Sequence, residues 1–460
     1  MSDRYSKLFA SYTDAITYAK LPKETVHEVK RRILDSFGTA MSAMGEDTPK
    51  AVRNYAYDYA LAPGQRGGTL WGTATKTPPE MAGFVNGVAV RYLDFNDTFL
   101  SKEPLHPSDM IGALMALAEW NGNTTKELIT AIAVAYEIPI NLCDAASLRK
   151  NKWDHVNYIA IGTACGAAKL LGLTGEQVEH AISIAIVPHA SMRQTRAGEL
   201  SMWKGAAAAN SARNAVFGAL LAAKGVSGPY QPFDGEMGFF RQLLNGEKFD
   251  EKFLKGMEKK TPPSRIMDTY IKFWPVEYHA QSAVDAALKL HKQMNGAKLK
   301  SLHIDTFKAS YEIIAKDPEK WEPKTRETAD HSIQYITLVA LMDGKITKES
   351  FSHERIFDKT TRAMLKKNVT LAEDDKLTAG YPFGIPNRIT ATTDADKKLS
   401  LEVSFPRGHA QNPMTDDEVV EKLTANTEHC WTPAQRDRVV DLVFSYEKHS
   451  VADIVEAIRV

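Results

Sequence analysis

Cysteine is scarce in this sequence. Three cysteines, Cys143, Cys165 and Cys430, are spread over 460 residues, and no C-x-x-C pair occurs. A disulfide framework, a zinc ribbon and a cysteine-held iron–sulfur cluster each need several cysteines at close spacing. These three kinds of site are therefore excluded.

An excess of charge of either sign is also missing, since 57 Lys and Arg balance 57 Asp and Glu. No global field attracts nucleic acid or an anionic membrane surface. The first twenty residues contain neither an apolar signal core nor an Arg-rich leader, and no run of about eighteen apolar residues suggests a membrane span. We therefore expect a soluble, cytoplasmic protein with no nucleic-acid or membrane partner.

Helical spacing dominates the first 230 residues. Val26, Val29, Ile33 and Phe37 recur at helical intervals after Pro22. Thr174 and Gln177 predict a capping box before the next apolar run, and the small side chains of 205–223 predict a central, closely packed helix. The chain is longer than one core usually supports, so two domains are expected.

The pattern changes after 246–265, where charge rises and two prolines follow. Apolar residues alternate at 302–306 and again on both sides of a turn at 394–396, which predicts a strand and a hairpin. Helical patterns at 280–294 and 331–343 lie between them, and the last fifty residues return to helix. We predict a mainly α fold: a helical domain formed by 1–265 and 405–460, with an inserted, smaller α+β domain at 266–404.

The polar stretch DFNDTFLSKEPLHPSD, residues 94–109, stands between two apolar helical segments. A solvated loop with helix caps is one interpretation. A metal site formed by Asp94, Asp97, His106 and Asp109 is a second, although the spacing matches no established metal motif. The density of Ala and Gly around the stretch favours burial, and buried acids need partners.

Other candidate residues precede predicted helices: His155 in KWDHVNY, Arg193 and Lys204 in RQTRAGELSMWK, His279 in VEYHAQSAVDAA and His331 in ETADHSIQY. A single histidine at a helix start is more commonly a cap or a core residue than a catalyst. The remaining histidines with ordinary amphipathic surroundings are assigned no function: His180, His291, His303, His353, His429 and His449.

Six segments taken together resemble the MmgE/PrpD family in order and over nearly the whole chain: DFNDT…HPSD, KWDHV, SMWKGAAAANSARNA, EYHAQSAVDAA, ADHSIQY and FPRGHA. The resemblance implies a homodimer in which the α+β domain is a lid over the helical domain. It places the active site between the two, with no cofactor and no required metal. The family includes 2-methylcitrate dehydratases, cis-aconitate decarboxylases and an iminodisuccinate epimerase, and the resemblance is greatest to the dehydratases.

The family's pocket positions carry over one by one onto this sequence. We hypothesise that His106 and His279 transfer protons, that His155 and Lys204 bind carboxylates, and that Asp94 orients His106. Thr98, Arg193 and His331 are predicted to bind substrate, with Thr98 donating a hydrogen bond. Asp330 and His409 also lie in matching motifs, without an assigned role.

These residue types suit a di- or tricarboxylate substrate. Lysine, arginine and protonated histidine form charge-assisted bonds with carboxylates, and histidine titrates near neutral pH. We expect a cofactor-independent hydro-lyase that dehydrates 2-methylcitrate, and also citrate as a candidate, to the corresponding aconitate in propionate catabolism (the methylcitrate cycle). Three alternatives remain open: a cis-aconitate decarboxylase or another lyase or epimerase of the family, a metal-dependent isomerase, and a non-catalytic helical protein that binds tricarboxylates.

Overall fold

A computed structural model describes residues 3–460. The N-terminal part is almost entirely helical, and its only regular strands among these residues are β1 (Gly68–Thr69) and β2 (Lys76–Thr77). Its helices, in chain order, are α1 (Arg4–Ala15), α2 (Lys23–Ala43), α3 (Asp47–Tyr57), α4 (Pro79–Tyr92), α5 (Ile111–Asn121), α6 (Thr125–Ala145), α7 (Val156–Leu170), α8 (Glu176–Ile186), α9 (Ala207–Ala223), α10 (Phe239–Leu243) and α11 (Lys255–Glu258).

The middle part combines a four-stranded sheet with helices. The strands are β3 (Leu299–Thr306), β4 (Val369–Glu373), β5 (Asn387–Thr393) and β6 (Lys398–Val403). The helices are α12 (Gln281–Met294), α13 (Lys308–Ile314), α14 (Pro318–Trp321), α15 (Arg326–Ala329), α16 (Ile333–Asp343), α17 (His353–Ile356), α18 (Lys359–Asn368) and α19 (Asp375–Ala379). Three helices follow: α20 (Asp416–Thr427), α21 (Pro433–Phe444) and α22 (Val451–Ala457). The predicted mainly α class is confirmed.

The sheet has the strand order β4-β3-β5-β6, with β4 parallel to β3 and the other neighbours antiparallel. Ile304 of β3 pairs with Ile389 of β5, and both side chains are buried against α12 and α16. The hairpin β5–β6 confirms the prediction made from the alternating residues on either side of 394–396. Asp396 in the turn has a φ of 62°, a conformation that aspartate tolerates better than most residues.

Two hydrophobic cores divide the chain. One core contains residues from Tyr5 to Ile271 and again from Met414 to Ile458, and the other contains residues from Val276 to Ala391. The C-terminal helices therefore pack onto the N-terminal ones. Lys422 of α20 forms a buried ion pair with Asp35 of α2 at 2.6 Å. The exact boundaries at 265 and 404 and the lid function of the middle part stay predictions.

Helix α6 lies at the centre of the first core. It is long and apolar enough to span a membrane, but the whole of its most apolar window is buried inside the fold. Thr124 and Glu127 form a capping box at its start, and Pro139 lies inside it. Burial on all sides accounts for its apolar composition, as in the core helix of a soluble protein.

The small-residue segment 205–223 forms α9, as predicted, and eleven of its residues are buried. Gly87 of α4 lies against Ala209 of α9, where an added Cβ would come within 2.9 Å of the alanine methyl. The predicted capping box at Thr174 is wrong. Helix α8 begins at Glu176, and Gly175, with a φ of 51°, occupies the N-cap position without a side-chain hydrogen bond.

Candidate active site

The stretch 94–109 is a buried loop between α4 and the short 3-10 helix Pro107–Met110 that precedes α5. Residues 94–100 and 105–109 are all buried, so the interpretation as a solvated loop is wrong. The main chain of Thr98 pairs with that of Tyr270, and the main chain of Phe99 pairs with that of Leu105. The first bridge ties the loop to the segment that enters the middle part, and the second closes the loop on itself.

Asp94 is the centre of a buried charge cluster. Its Oδ1 accepts hydrogen bonds from the guanidinium of Arg91 and from Nζ of Lys272, the latter at 2.8 Å. Its Oδ2 lies 3.2 Å from Nζ of Lys204 and 3.2 Å from Nε2 of His331. Burial alone would raise the pKa of Asp94, but the charges of Arg91, Lys204 and Lys272 outweigh it and hold that pKa well below its usual range. Asp94 is therefore a carboxylate.

His106 is oriented by a main-chain group. Its Nδ1 donates to the carbonyl of Asp97 at 2.8 Å, because a carbonyl can only accept. Its Nε2 lies 4.0 Å from Oδ1 of Asp94, beyond hydrogen-bond reach. The prediction that Asp94 orients His106 is therefore corrected to the Asp97 carbonyl. Burial, followed by the charges of Arg91 and Lys272, lowers the pKa of His106 well below 6.5, so the ring is neutral.

Thr98 uses its hydroxyl inside the loop. The hydroxyl donates to the carbonyl of Leu105 at 3.1 Å, so it faces a ligand as an acceptor and not as the predicted donor. The carboxylate of Asp97 is likewise engaged, accepting from the main-chain N–H of Ser108 at 2.9 Å and from the hydroxyl of Tyr136 at 2.8 Å. These bonds fix the loop that carries His106.

Three further histidines each face a carboxylate two residues or fewer away in the chain. Nδ1 of His155 lies 3.1 Å from Asp154, Nδ1 of His279 lies 2.7 Å from Glu277, and Nδ1 of His331 lies 2.5 Å from Asp330. The rings of His155 and His106 meet edge to face, 5.8 Å apart. The three pairs lie in the segments that immediately precede α7, α12 and α16.

The carboxylate partners do not make all three rings cationic. Burial lowers the pKa of His155 to about 3, since Arg196 and Arg91 offset Asp154. Burial and the ammonium of Lys204 also lower the pKa of His331. That His155 binds a carboxylate stays a prediction, and its surroundings favour a neutral hydrogen bond over a charged one.

All eight predicted site residues line one cavity between the helical part and the middle part. Among residues 3–460, the cavity wall carries six lysines and arginines but only two carboxylates, Asp94 and Glu277, so the excess charge is positive. Nε2 of His155 and Nε2 of His279 are buried and have no hydrogen-bond partner among the described residues. Buried polar atoms of this kind are costly unless a ligand satisfies them. The cavity suits a polar anion.

Two models of known families match the chain. The MmgE/PrpD N-terminal domain matches residues 7–252, and the MmgE/PrpD C-terminal domain matches residues 274–446. The chain belongs to the MmgE/PrpD family.

Several curated proteins are similar to this chain over most of its length. A 2-methylcitrate dehydratase of Salmonella typhimurium is 29% identical, covering 92% of this chain and 90% of its own. One from Cupriavidus necator is 27% identical over 94% of this chain and 92% of its own, and a mitochondrial one from Yarrowia lipolytica is 30% identical over 75% and 70%. The predicted enzyme class, a hydro-lyase of this family, is confirmed.

Sequence reasoning missed part of the MmgE/PrpD cavity. Glu277 stands two residues before His279 in the same motif, and Arg91 stands three residues before Asp94, so both were adjacent to recognised positions. Arg149 and Lys320 line the cavity from segments with no motif, and no signal in one sequence singles them out. His409 lies outside the wall and stacks on Tyr270 at 4.6 Å.

The donor groups of the 94–109 loop do not favour a metal ion. Asp94 already faces three cationic side chains, and both carboxylate oxygens of Asp97 accept hydrogen bonds. Burial raises the pKa of Asp109 to about 7, and Oδ1 of this carboxyl accepts from Asn96. Within residues 3–460, no group of three or more His, Cys, Asp or Glu side chains is arranged to hold a metal ion.

Proposed function

We propose that this enzyme dehydrates 2-methylcitrate to 2-methyl-cis-aconitate as a step of propionate catabolism, with citrate as a second candidate substrate. The observation that carries the proposal is the convergence of four histidines and six lysines and arginines on one buried cavity. The names of the similar proteins support the same reaction. No cofactor is needed for the chemistry that these side chains supply.

The cations of the cavity would bind the carboxylates of the substrate. Arg149, Arg193, Arg196, Lys204 and Lys320 lie around the wall and can each donate charge-assisted hydrogen bonds. Burial lowers the pKa of Lys204 to about 8, so its ammonium is still present at neutral pH. On binding, the carboxylates of a tricarboxylate would thus exchange their hydration water for fixed positive groups on several sides.

Proton transfer would be the work of His106 and His279. Dehydration removes a proton from a carbon beside a carboxylate, forms the carbon–carbon double bond from that electron pair, and releases the hydroxyl as water. Neutral His106 has a free lone pair on Nε2, because its Nδ1 donates to the Asp97 carbonyl. Nε2 of His279 has no hydrogen-bond partner within residues 3–460. An acid or base placed in this way contributes on the order of 10²–10⁴-fold to the rate.

The rest of the rate acceleration would come from positioning of the substrate and from electrostatic stabilisation by the cations of the cavity. Removal of the carbon-bound proton places negative charge on the adjacent carboxylate, as an enediolate. Fixed cations such as Lys204 and Arg196 stabilise that charge without reorganising, because Asp94 and Asp154 already hold them in place at 3.2 and 3.1 Å. The chain has no clustered cysteines to hold an iron–sulfur cluster, so protein groups must release the hydroxyl.

A substrate panel tests the proposal. Purified protein is incubated with 2-methylcitrate, citrate and cis-aconitate, and ultraviolet absorbance and CO₂ release are followed. An increase in ultraviolet absorbance, as 2-methylcitrate is converted to a conjugated acid without release of CO₂, supports dehydration. Release of CO₂ from cis-aconitate would instead support the second candidate, a decarboxylase, because the same cations serve both reactions. Tight binding without turnover of any acid would identify a binding protein.

We also propose a cytoplasmic location, on the basis of composition, and a homodimer, on the basis of the resemblance to the family. Light scattering of the purified protein measures its mass in solution directly. A mass of two chains supports the dimer, and a mass of one chain contradicts it.

A further inference from the structure

Glu277 holds His279 at two points. Its Oε2 accepts the main-chain N–H of His279 at 2.7 Å, and its Oε1 accepts Nδ1–H of the His279 ring, also at 2.7 Å. Burial alone would raise the pKa of Glu277, but the interaction with His279 outweighs it and lowers that pKa to about 2. Because the carboxylate accepts hydrogen bonds from both the main chain and the ring, it fixes the rotamer of His279 and keeps a proton on Nδ1. The second nitrogen, Nε2, belongs to a side chain that lines the cavity, and it has no hydrogen-bond partner in the part of the chain that the structure describes.

The other three imidazoles of the cavity lack this arrangement. Nδ1 of His106 is bound to a neutral carbonyl, and Nε2 of His331 is already 3.2 Å from Asp94. The carboxylate beside His155 is shared with Arg196, whose Nε lies 3.1 Å from Asp154, so its charge is offset. Glu277 forms no ion pair with a lysine or arginine among residues 3–460. Its negative charge is therefore directed at His279.

We infer that Glu277 is a positioning residue that maintains a proton on Nε2 of His279, which makes His279 the acid and His106 the base of the reaction. This assignment rests on the proposed function. The proton of Nε2 passes to the departing hydroxyl as the carbon–oxygen bond breaks, and water leaves. Nε2 of His106 takes the carbon-bound proton, and the electron pair of that bond becomes the double bond. After the product leaves, His106 releases its proton and His279 regains one from solvent.

The surroundings of the pair agree with this direction of transfer. Phe307 and Tyr381 pack beside the His279 ring at 5.4 and 5.7 Å and present no formal charge near neutral pH, since burial raises the pKa of Tyr381 to about 12. Asn387 donates to the main-chain carbonyl of His279 from β5. Lys272 and Lys320 lie on the Glu277 side, and their positive charges favour the ionised form of this carboxyl. No second carboxylate pairs with the His279 ring among the described residues.

The substitution Glu277→Gln tests the inference, because it removes the charge and keeps the shape. We expect kcat for 2-methylcitrate to fall about a hundredfold, the low end of the range for a general acid, with little change in KM. We also expect the alkaline limb of the kcat/KM profile to move to lower pH by about one unit or more. Asp305→Asn is the matched control, since Asp305 contacts His303 at 3.1 Å on the sheet, away from the cavity. It should leave the profile unchanged.

A second measurement separates an acid from a base. In a 2-methylcitrate analogue with fluorine in place of the hydroxyl, the leaving group departs as fluoride and needs far less protonation. We expect the fold-decrease in kcat caused by Glu277→Gln, or by His279→Asn, to be at least tenfold smaller with this analogue. The fold-decrease in kcat caused by His106→Asn should persist. His279→Asn gives the same comparison if the Glu277 variant fails to fold, as judged from its melting temperature.

The outcomes distinguish the inference from the proposed function. If the wild-type enzyme does not dehydrate 2-methylcitrate, the proposed function fails. If the wild type is active and Glu277→Gln retains its kcat and pH profile, Glu277 has no positioning role. If His279→Asn lowers kcat by the same factor on the hydroxylated and the fluorinated substrate, His279 is not the acid.

Discussion

Nζ of Lys272 donates to Asp94 at two points, to Oδ1 at 2.8 Å and to the main-chain carbonyl at 2.9 Å. Lys272 lies where the chain leaves the first core, and Asp94 begins the loop that carries His106. Asp94 has a φ of 51°, in the left-handed region, and the two bonds help to hold it there. The contact therefore joins the two parts of the protein at the cavity itself.

Replacement of Asp94 should destabilise the whole fold. Asp94→Asn keeps the size of the side chain but leaves the charges of Arg91, Lys204 and Lys272 buried without their counter-ion. We expect a loss of about 3–5 kcal/mol in the free energy of unfolding, measured by urea denaturation. Asp437→Asn, at an exposed position of α21, is the control and should change the unfolding free energy by less than about 0.5 kcal/mol.

The sign of the pH dependence follows from the pKa of Asp94, which is lowered in the folded state. The stabilisation is complete above about pH 4, the ordinary aspartate pKa, and is lost as pH falls below it. The difference in unfolding free energy between wild type and Asp94→Asn should therefore narrow in acid. A difference that is the same at pH 7 and pH 3 would contradict the charge cluster.

The buried ammonium of Lys204 predicts a pH dependence of the same sign in the alkaline range. Burial lowers its pKa to about 8, below the value of about 10.4 in an unfolded chain. Between these two values the unfolded state binds the extra proton, so the free energy of unfolding contributed by this group rises with pH. The unfolding free energy of wild type relative to Lys204→Met should gain up to about 3 kcal/mol from pH 8 to pH 10. If the difference in unfolding free energy between wild type and Lys204→Met does not change from pH 8 to pH 10, Lys204 is not desolvated.

Arg193 should affect activity without affecting stability. Its guanidinium lines the cavity and forms no hydrogen bond or ion pair with the described residues, while burial lowers its pKa. Arg193→Met should raise KM for a tricarboxylate about 10- to 100-fold, the value of one charge-assisted bond. Its melting temperature should stay the same or rise, because a partly buried charge without a partner is removed. Arg241→Met, at an exposed position of α10, should change neither quantity. An unaltered KM in Arg193→Met would remove Arg193 from the proposed binding site.

Much of the fold could be predicted because periodicity is local. Helices α2 and α9 and the hairpin β5–β6 follow from the spacing of apolar residues in single segments. The capping box at Thr174 could not be judged in this way, because the left-handed conformation of Gly175 decides where α8 begins. Sequence patterns name the residues of a turn but do not give its φ angles.

The residues of the candidate site likewise divide into those that sequence motifs predict and those that only the folded structure reveals. The family's motifs marked the side chains that reach the cavity, from Asp94 to His331. The partner that orients His106 is a main-chain carbonyl, and every residue has one, so no residue type could have revealed it. Arg149 and Lys320 reach the cavity only through tertiary packing of separate segments. Contacts of this kind depend on the folded arrangement and not on local sequence.

The proposed dehydration depends most on His106 and His279, the two histidines that would transfer protons. The direct measurement is kcat with 2-methylcitrate for His106→Asn and His279→Asn, with circular dichroism to verify folding. Each variant should lose on the order of 10²-fold or more of its turnover, because each removes one acid or base. Turnover near the wild-type value in both folded variants would contradict the proposed histidine chemistry.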